Sequence, residues 1–197
     1  MGSIFKPALV LFIICLVVTA ALAFTYSGTK DVIDERARID AENIRREVLS
    51  NAEGFERIDG IEQLAEERPE FNAVSEAYKG LKDGSVIGYV FSVVSKGYGG
   101  NMSLMVGIDS SGKITDVRIG EHSETPGLGA KAADEPFRSQ LAGIVPDGPL
   151  SVVKTKSTKP EEIEAISGAT ISSKAVVSGV QTALDLYAEL VEKEGVQ

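Results

Sequence analysis

Val86-Ile87-Gly88-Tyr89-Val90-Phe91-Ser92-Val93-Val94 alternates with a period of two. Ile87, Tyr89, Phe91 and Val93 fall on one face, and Gly88, Val90, Ser92 and Val94 on the other. Apolar residues on both faces predict a strand covered from both sides. Gly97-Tyr98-Gly99-Gly100 breaks the run, and a second strand follows with Leu104, Val106 and Ile108 on one face. Asp109-Ser110-Ser111-Gly112 has the chemistry of a turn, after which a third strand runs through Ile114, Val117 and Ile119. Strands joined by so short a turn are antiparallel neighbours. A short helix near 134–141 and a strand over 150–155 complete the scaffold. Hairpins with separate helices predict an α+β domain, an antiparallel sheet with flanking helices, over residues 86–197.

Upstream the pattern changes. Between Lys6 and Lys30 no residue is charged, and Ala8–Phe24 is apolar almost throughout. With its neutral flanks this run reaches the roughly 20 residues that a helix needs to cross a bilayer core. Ala21-Leu22-Ala23 matches a signal-peptide cleavage pattern, but the run exceeds the 7–15 residues usual for a signal peptide's apolar core. The reading is an uncleaved, single-pass membrane anchor over 1–29. Lys6 places the N-terminus in the cytoplasm and the bulk of the chain outside it. Residues 30–85 read as a helical connecting region: a charged helix over 29–50, then helical pieces at 60–67 and 72–79 broken by Pro69.

Composition excludes several classes. The net charge is −9. Lys6 and Lys30 are the only charged side chains in residues 1–30, which leaves 18 basic against 29 acidic groups beyond them. Such a domain repels nucleic acid, and no nucleic-acid partner is expected. A single cysteine, Cys15, lies in the apolar run, and a single histidine, His122, lies near the third strand. Neither an intrachain disulfide nor a Cys- or His-based metal site is available, so no metal is expected. No Gly-x-Ser-x-Gly elbow marks a hydrolase, and no Gly-x-Gly-x-x-Gly follows a strand. Redox work in this chain requires an organic cofactor.

Two loops remain. Glu164-Ala165-Ile166-Ser167-Gly168-Ala169-Thr170-Ile171-Ser172-Ser173 feeds a helix whose apolar positions are Val176, Val177, Val180, Ala183, Leu184, Tyr187 and Val191. Ser172 or Ser173 suits the N-cap. Such a cluster is either a cap and a turn or a place for a phosphate, held by the amides and dipole of the helix start. Gly120-Glu121-His122-Ser123-Glu124-Thr125-Pro126-Gly127-Leu128-Gly129-Ala130-Lys131 is a tight, backbone-exposing loop. It is either a surface turn or a holder for a flat, polar, electron-rich group. His122 reads as a solvated or capping histidine.

Glu-Thr-Pro-Gly-Leu-Gly at 124–129, followed some 40 residues on by Ser-Gly-Ala-Thr at 167–170, resembles the FMN-binding domain family. Gly97-Tyr98-Gly99-Gly100 and Val106-Gly107-Ile108-Asp109 are similar to that family too. Its members include the G component of the Rnf electron-transport complex and the C component of the sodium-pumping NADH:quinone reductase. The length resembles the former. The resemblance implies one FMN per chain, joined through its phosphate to the hydroxyl of Thr170 by a dedicated flavin transferase, with Ser167, Gly168 and Ala169 completing the attachment motif. The transferase's pattern commonly has Asp three residues before the motif's Ser; here the acid is Glu164, one methylene longer. It further implies an electron relay in an ion-translocating ferredoxin:NAD oxidoreductase, with the other membrane subunits as partners and no catalytic side chain of its own. Glu124, Thr125, Leu128 and Gly129 then line one part of the flavin site, and Ser172 and Ser173 cap the helix; from its charge alone, Lys131 or Lys154 is expected to offset phosphate charge or polarise the ring. Two rivals stand beside this reading. One is a quinone-reductase relay, and the other a membrane-anchored scaffold without cofactor.

Overall fold

The computed structural model describes residues 2–195. The chain divides into two units, Met1–Asn43 and Ile44–Gln197. Helix α1 runs over Gly2–Val48, so its last turn belongs to the second unit.

Over residues 5–40 the side chains of α1 are exposed, including Leu11, Phe12 and Ile14. Among the described residues this is the one helix long and apolar enough to cross a membrane, with a window of mean hydropathy 2.8. A helix that is apolar all round needs an apolar surrounding, and lipid supplies one. Two of its hydroxyls are bonded within the helix. The Thr25 hydroxyl donates to Ala21 O and the Thr29 hydroxyl to Thr25 O, both at 3.0 Å. These facts fit a membrane anchor.

The second unit is built on a five-stranded antiparallel sheet in sequential order. Its strands are β1 (Gly54–Arg57), β2 (Val74–Lys82), β3 (Ser85–Lys96), β4 (Asn101–Asp109) and β5 (Ile114–His122). The three strands read from periodicity are β3, β4 and β5. The turn between β4 and β5 is closed by the Asp109 carboxylate, which accepts from the amides of Ser111 at 2.8 Å and Lys113 at 3.1 Å. Helix α2 (Ile61–Glu67) agrees with the piece expected at 60–67. The piece expected at 72–79 does not: that stretch is β2. Glu76-Ala77-Tyr78-Lys79 has reasonable helix propensity, but pairing along the twelve-residue β3 overrides it. The deciding signal is Asp83-Gly84, with φ of 50° and 76°, a two-residue hairpin turn that joins Lys82 to Ser85 in register. The region over 30–85 is therefore not helical throughout, and the sheet begins at Gly54.

The far end of the domain holds a short helix α3 (Glu135–Arg138), strands β6 (Ser151–Val153) and β7 (Glu162–Glu164) paired in parallel, and helix α4 (Thr170–Gly195). The helix expected over 134–141 is thus a single turn, and β7, three residues long, carries no readable pattern.

One face of the sheet packs against α4. Val176, Val177, Val180, Ala183 and Leu186 meet Tyr89, Phe91, Leu104, Val106 and Ile108 in the main core. The other face is covered by the end of α1 and the turn after it: Val48, Leu49 and Ala52 bury Val90 between them. Arg45 lies over the Tyr78 ring, 4.2 Å from its centroid. The Thr115 hydroxyl donates to Val48 O, and Arg118 bonds Glu47 at 2.8 Å. This close seat exists because residue 107 has no side chain. A Cβ on Gly107 would stand far inside contact distance of Val48 O and the Thr115 hydroxyl. Both neighbours are fixed by the hydrogen bond they share, so neither yields cheaply. Gly107→Ala is expected to lower stability by about 1–3 kcal/mol, the range for overpacking a close contact. Thermal melts of the full chain in detergent, read by circular dichroism, check it against wild type.

Candidate functional site

The site is built where three turns meet at the start of α4. The chain enters from β7, and Gly168 reverses it with φ 77°. The Ala169 amide donates back to Ile166 O at 2.9 Å, and the Ser173 amide makes the first helical bond, to Ala169 O, at 3.0 Å. The helix thus starts at Thr170, and the expectation of a cap at Ser172 or Ser173 is corrected. Both serines lie within the first turn, and their hydroxyls are engaged elsewhere. Ser173, fully buried, accepts from the Ile166 amide and donates to Ala169 O, each at 3.0 Å. It staples the approach loop to the helix. Ala169 stands in the cap position with no side-chain oxygen to offer. The amides of Thr170, Ile171 and Ser172 consequently have no acceptor among the described residues.

Ser172 is engaged by the second turn. Its hydroxyl donates to Glu124 Oε2 at 2.7 Å. Glu124 Oε1 accepts from the amide of Gly99 at 3.0 Å, which ties in the third turn, between β3 and β4. Glu124 is 6% exposed. The packing around it explains the glycines in the sequence: a Cβ on Gly97 would collide with Oε1, and one on Gly129 with Oε2. Burial pushes the Glu124 carboxyl up. The Ser172 hydroxyl and the Gly99 and Tyr98 amides, with a smaller pull from His122, outweigh that and hold it below the ordinary carboxylate value. His122 itself accepts the Glu124 amide on Nδ1 at 3.3 Å, a loop-holding role.

Between these turns lies a cleft of about 440 Å³. It is lined by Glu124, Thr125, Leu128 and Gly129 from one loop and by Gly168, Ala169, Thr170 and Ser172 from the other. Eight of the residues expected from sequence are thus brought together. Tyr98 and Ile171 also line it and had not been singled out. They are exposed at 73% and 55%, and Leu128 at 44%. An aromatic flanked by glycines in a loop was the available signal for Tyr98. Ile171 carried none, since a single apolar residue at a helix start usually belongs to a core. The volume lies in the range of small-molecule sites, and the mixture of flat apolar surface with few polar groups is usual for them.

Four expected residues lie outside the cleft. Lys131 is exposed and lines a separate open groove with Lys156, Phe137, Gln140, Glu164 and Ile166. Lys154, exposed, follows β6. Ser167 is exposed on the approach loop, and Ser173 is buried behind the wall. Glu164 ends β7, its backbone held on both sides by the Gln140 amide group at 2.7 and 3.3 Å. Among the described residues no cluster of His, Cys, Asp and Glu could hold a metal ion. Thr170 stands apart from its neighbours. It is half-buried in the cleft wall, and its hydroxyl has no hydrogen-bond partner among the described residues.

Comparison with known proteins supplies the biological frame. The FMN-binding domain family model matches residues 97–185, and that of the RnfG N-terminal region matches residues 1–48. The chain is 38% identical over 195 residues to the G component of the Na(+)-translocating ferredoxin:NAD(+) oxidoreductase complex of Acetobacterium woodii, covering 95% of this chain and 93% of that one. It is 34% identical over 184 residues to the G component of the proton-translocating ferredoxin:NAD(+) oxidoreductase complex of Clostridium ljungdahlii, covering 93% and 91%. In fold it is similar to the crystal structure of the C component of the Na(+)-translocating NADH-quinone reductase from Parabacteroides distasonis. That match has a TM-score of 0.55 at 20% identity over 76% of this chain and 81% of that one.

The depressed Glu124 pKa fixes the sign of a pH effect. A group with a lowered folded pKa stabilises the fold fully above its unfolded value, and that contribution is lost as the pH falls through the folded value. Glu124→Gln is expected to cost about 1–3 kcal/mol at pH 7, the range for disturbing a buried hydrogen-bonded carboxylate. The gap to wild type should close as the pH falls from the ordinary glutamate value through the lower value that Glu124 has in the fold. Urea denaturation of both chains between pH 3 and pH 7 measures it.

Proposed function

The chain belongs to the RnfG family, the G components of the ion-translocating ferredoxin:NAD(+) oxidoreductase (Rnf) complexes, and on that footing we propose that it holds its FMN covalently, by a phosphoester to the Thr170 hydroxyl. Its role is that of an electron-transfer protein with an FMN-binding domain, working beside the other subunits of such a complex.

The observation that carries the covalent reading is the state of the hydroxyls. Ser172 and Ser173 are both committed to bonds that hold the loops in place. Ser167 is unbonded but lies outside the cleft. Thr170 is the one hydroxyl of the 167–173 stretch that lines the cleft with no partner among the described residues; Thr125 and Tyr98 also bring unbonded hydroxyls to the cleft, but from the other two turns, away from the helix start. The residues present also fit the group it would carry. A phosphoester on the first helical residue keeps one negative charge beside the free amides of 170–172, where the helix dipole favours an anion by about 0.3–1 kcal/mol. Gly168 and Ala169 leave room at the attachment point. Tyr98, Leu128 and Ile171 offer apolar surface to a flat ring, while Thr125 and Glu124 supply polar edges.

Bound FMN supplies the electron chemistry, and the protein supplies position, electrostatics and retention. Retention is what a covalent bond adds in this setting. α1 anchors the chain, with Lys6 marking the cytoplasmic end, so the FMN-binding domain lies outside the cytoplasm, where a dissociated flavin would be lost. A flavin transferase makes the bond during maturation, one flavin per chain. One of the two relatives is named for sodium and the other for protons, so membership of the family leaves the coupling ion open.

The test is to produce the full chain with a flavin transferase, denature it, and look for flavin fluorescence in the protein band. Wild type should fluoresce. Thr170→Ala should be dark while still folded, with a stability change within about 0.5 kcal/mol, because its hydroxyl supports no contact. A dark wild-type band, or a fluorescent Thr170→Ala band, overturns the proposal.

A further inference from the structure

Glu124 is the one charged residue in the buried set among the described residues. No Lys or Arg pairs with it there. Its charge is stabilised by the Ser172 hydroxyl and the Gly99 and Tyr98 amides, all neutral donors, with a smaller pull from His122, so it is solvated but not neutralised by an ion pair. Lys96, Lys131 and Lys174, which flank the three turns in sequence, do not line the cleft, and neither does Lys154. The wall that faces a bound ring is therefore net negative. Partly apolar surroundings make such a charge felt more strongly than it would be in water.

A carboxylate is an expensive way to bridge two turns. A neutral acceptor of the same shape would bond the Gly99 amide without burying a charge. We propose that the Glu124 charge holds down the reduction potential of the flavin in the cleft. Reduction adds negative charge to the ring system, and a fixed anion in the wall disfavours that state relative to the oxidised one. The same pair of oxygens thus has two roles: its hydrogen bonds position the three turns, and its charge biases the electron affinity of what they hold. The inference rests on the reading that FMN occupies this cleft through Thr170.

Spectroelectrochemical titration of the flavin in the full chain, matured with a flavin transferase, tests it. Glu124→Gln should shift the midpoint potential to more positive values. Ser172→Ala removes the same Glu124–Ser172 hydrogen bond but leaves the charge, and it should produce no such rise. Equal upward shifts in the two variants would mean that the bond, and not the charge, matters, and would overturn the inference. An unshifted Glu124→Gln overturns it as well. Should Glu124→Gln not accumulate, the double variant Glu124→Met with Ser172→Ala removes the charge and its hydroxyl partner together. The same rise is expected, and its absence is equally decisive. The flavin band of each variant on a denaturing gel separates the two levels. Bands that fluoresce with unchanged potentials refute the tuning role alone. A wild-type band without flavin refutes the site reading and the inference with it.

Discussion

The hydrogen bond from Ser172 to Glu124, 2.7 Å long and buried, spans 48 residues of sequence and closes the site. Without it the loop after β5 and the first turn of α4 are two separate surface turns. With it, and with the Gly99 amide on the other carboxylate oxygen, three turns become one wall. The constraint acts in both directions along the sequence. It requires glycine at 97 and 129, because the carboxylate occupies the space a Cβ would take. It also removes Ser172 from the set of available hydroxyls. Ser173 is removed by its own staple to Ile166 and Ala169, and Thr170 is left as the hydroxyl of the helix start that lines the cleft without a partner among the described residues.

The rest of the domain serves to hold that meeting point still. Four of the five strands carry the main core together with α4, so the helix start is fixed by the apolar stripe behind it. The opposite sheet face is closed by the end of α1, seated on Gly107 and bonded through Val48 O and Glu47. The segment leading out of the anchor is thus part of the second unit's packing. Residues 44–52 cover apolar surface on the sheet that would otherwise face solvent.

How far the sequence was legible follows from the range of each signal. Period-two alternation in β3 to β5 and the Asp-Ser-Ser-Gly turn are local and strong, and they located the centre of the sheet. The apolar run before Lys30 is stronger still. β2 was misread because its middle residues tolerate a helix; the Asp83-Gly84 turn that fixes it lies outside the misread window. β1 and β7 have four and three residues, too few for any period. At the site, the loops were legible as motifs, and their shared cleft gathered most of the expected residues. The expected cap, Ser172 or Ser173, falls three to four residues after Ala169 because Ala169 lacks the side chain that usually marks a cap, while the serines that have one are used in tertiary bonds. Lys131 and Lys154 are expected at the flavin from their charge alone, and charge does not report which way the backbone carries a side chain. The pairing of Glu124 with Ser172 left no trace in either local pattern, although it decides which hydroxyl is free.

The most direct test of that hydroxyl assignment is peptide mass spectrometry of the full chain after maturation with a flavin transferase. The peptide from Ser157 to Lys174 contains Ser167, Thr170, Ser172 and Ser173 together. Fragmentation should place the whole flavin phosphate on Thr170 and leave the three serines unmodified. A flavin on any of those serines, or a peptide with none, would contradict the assignment.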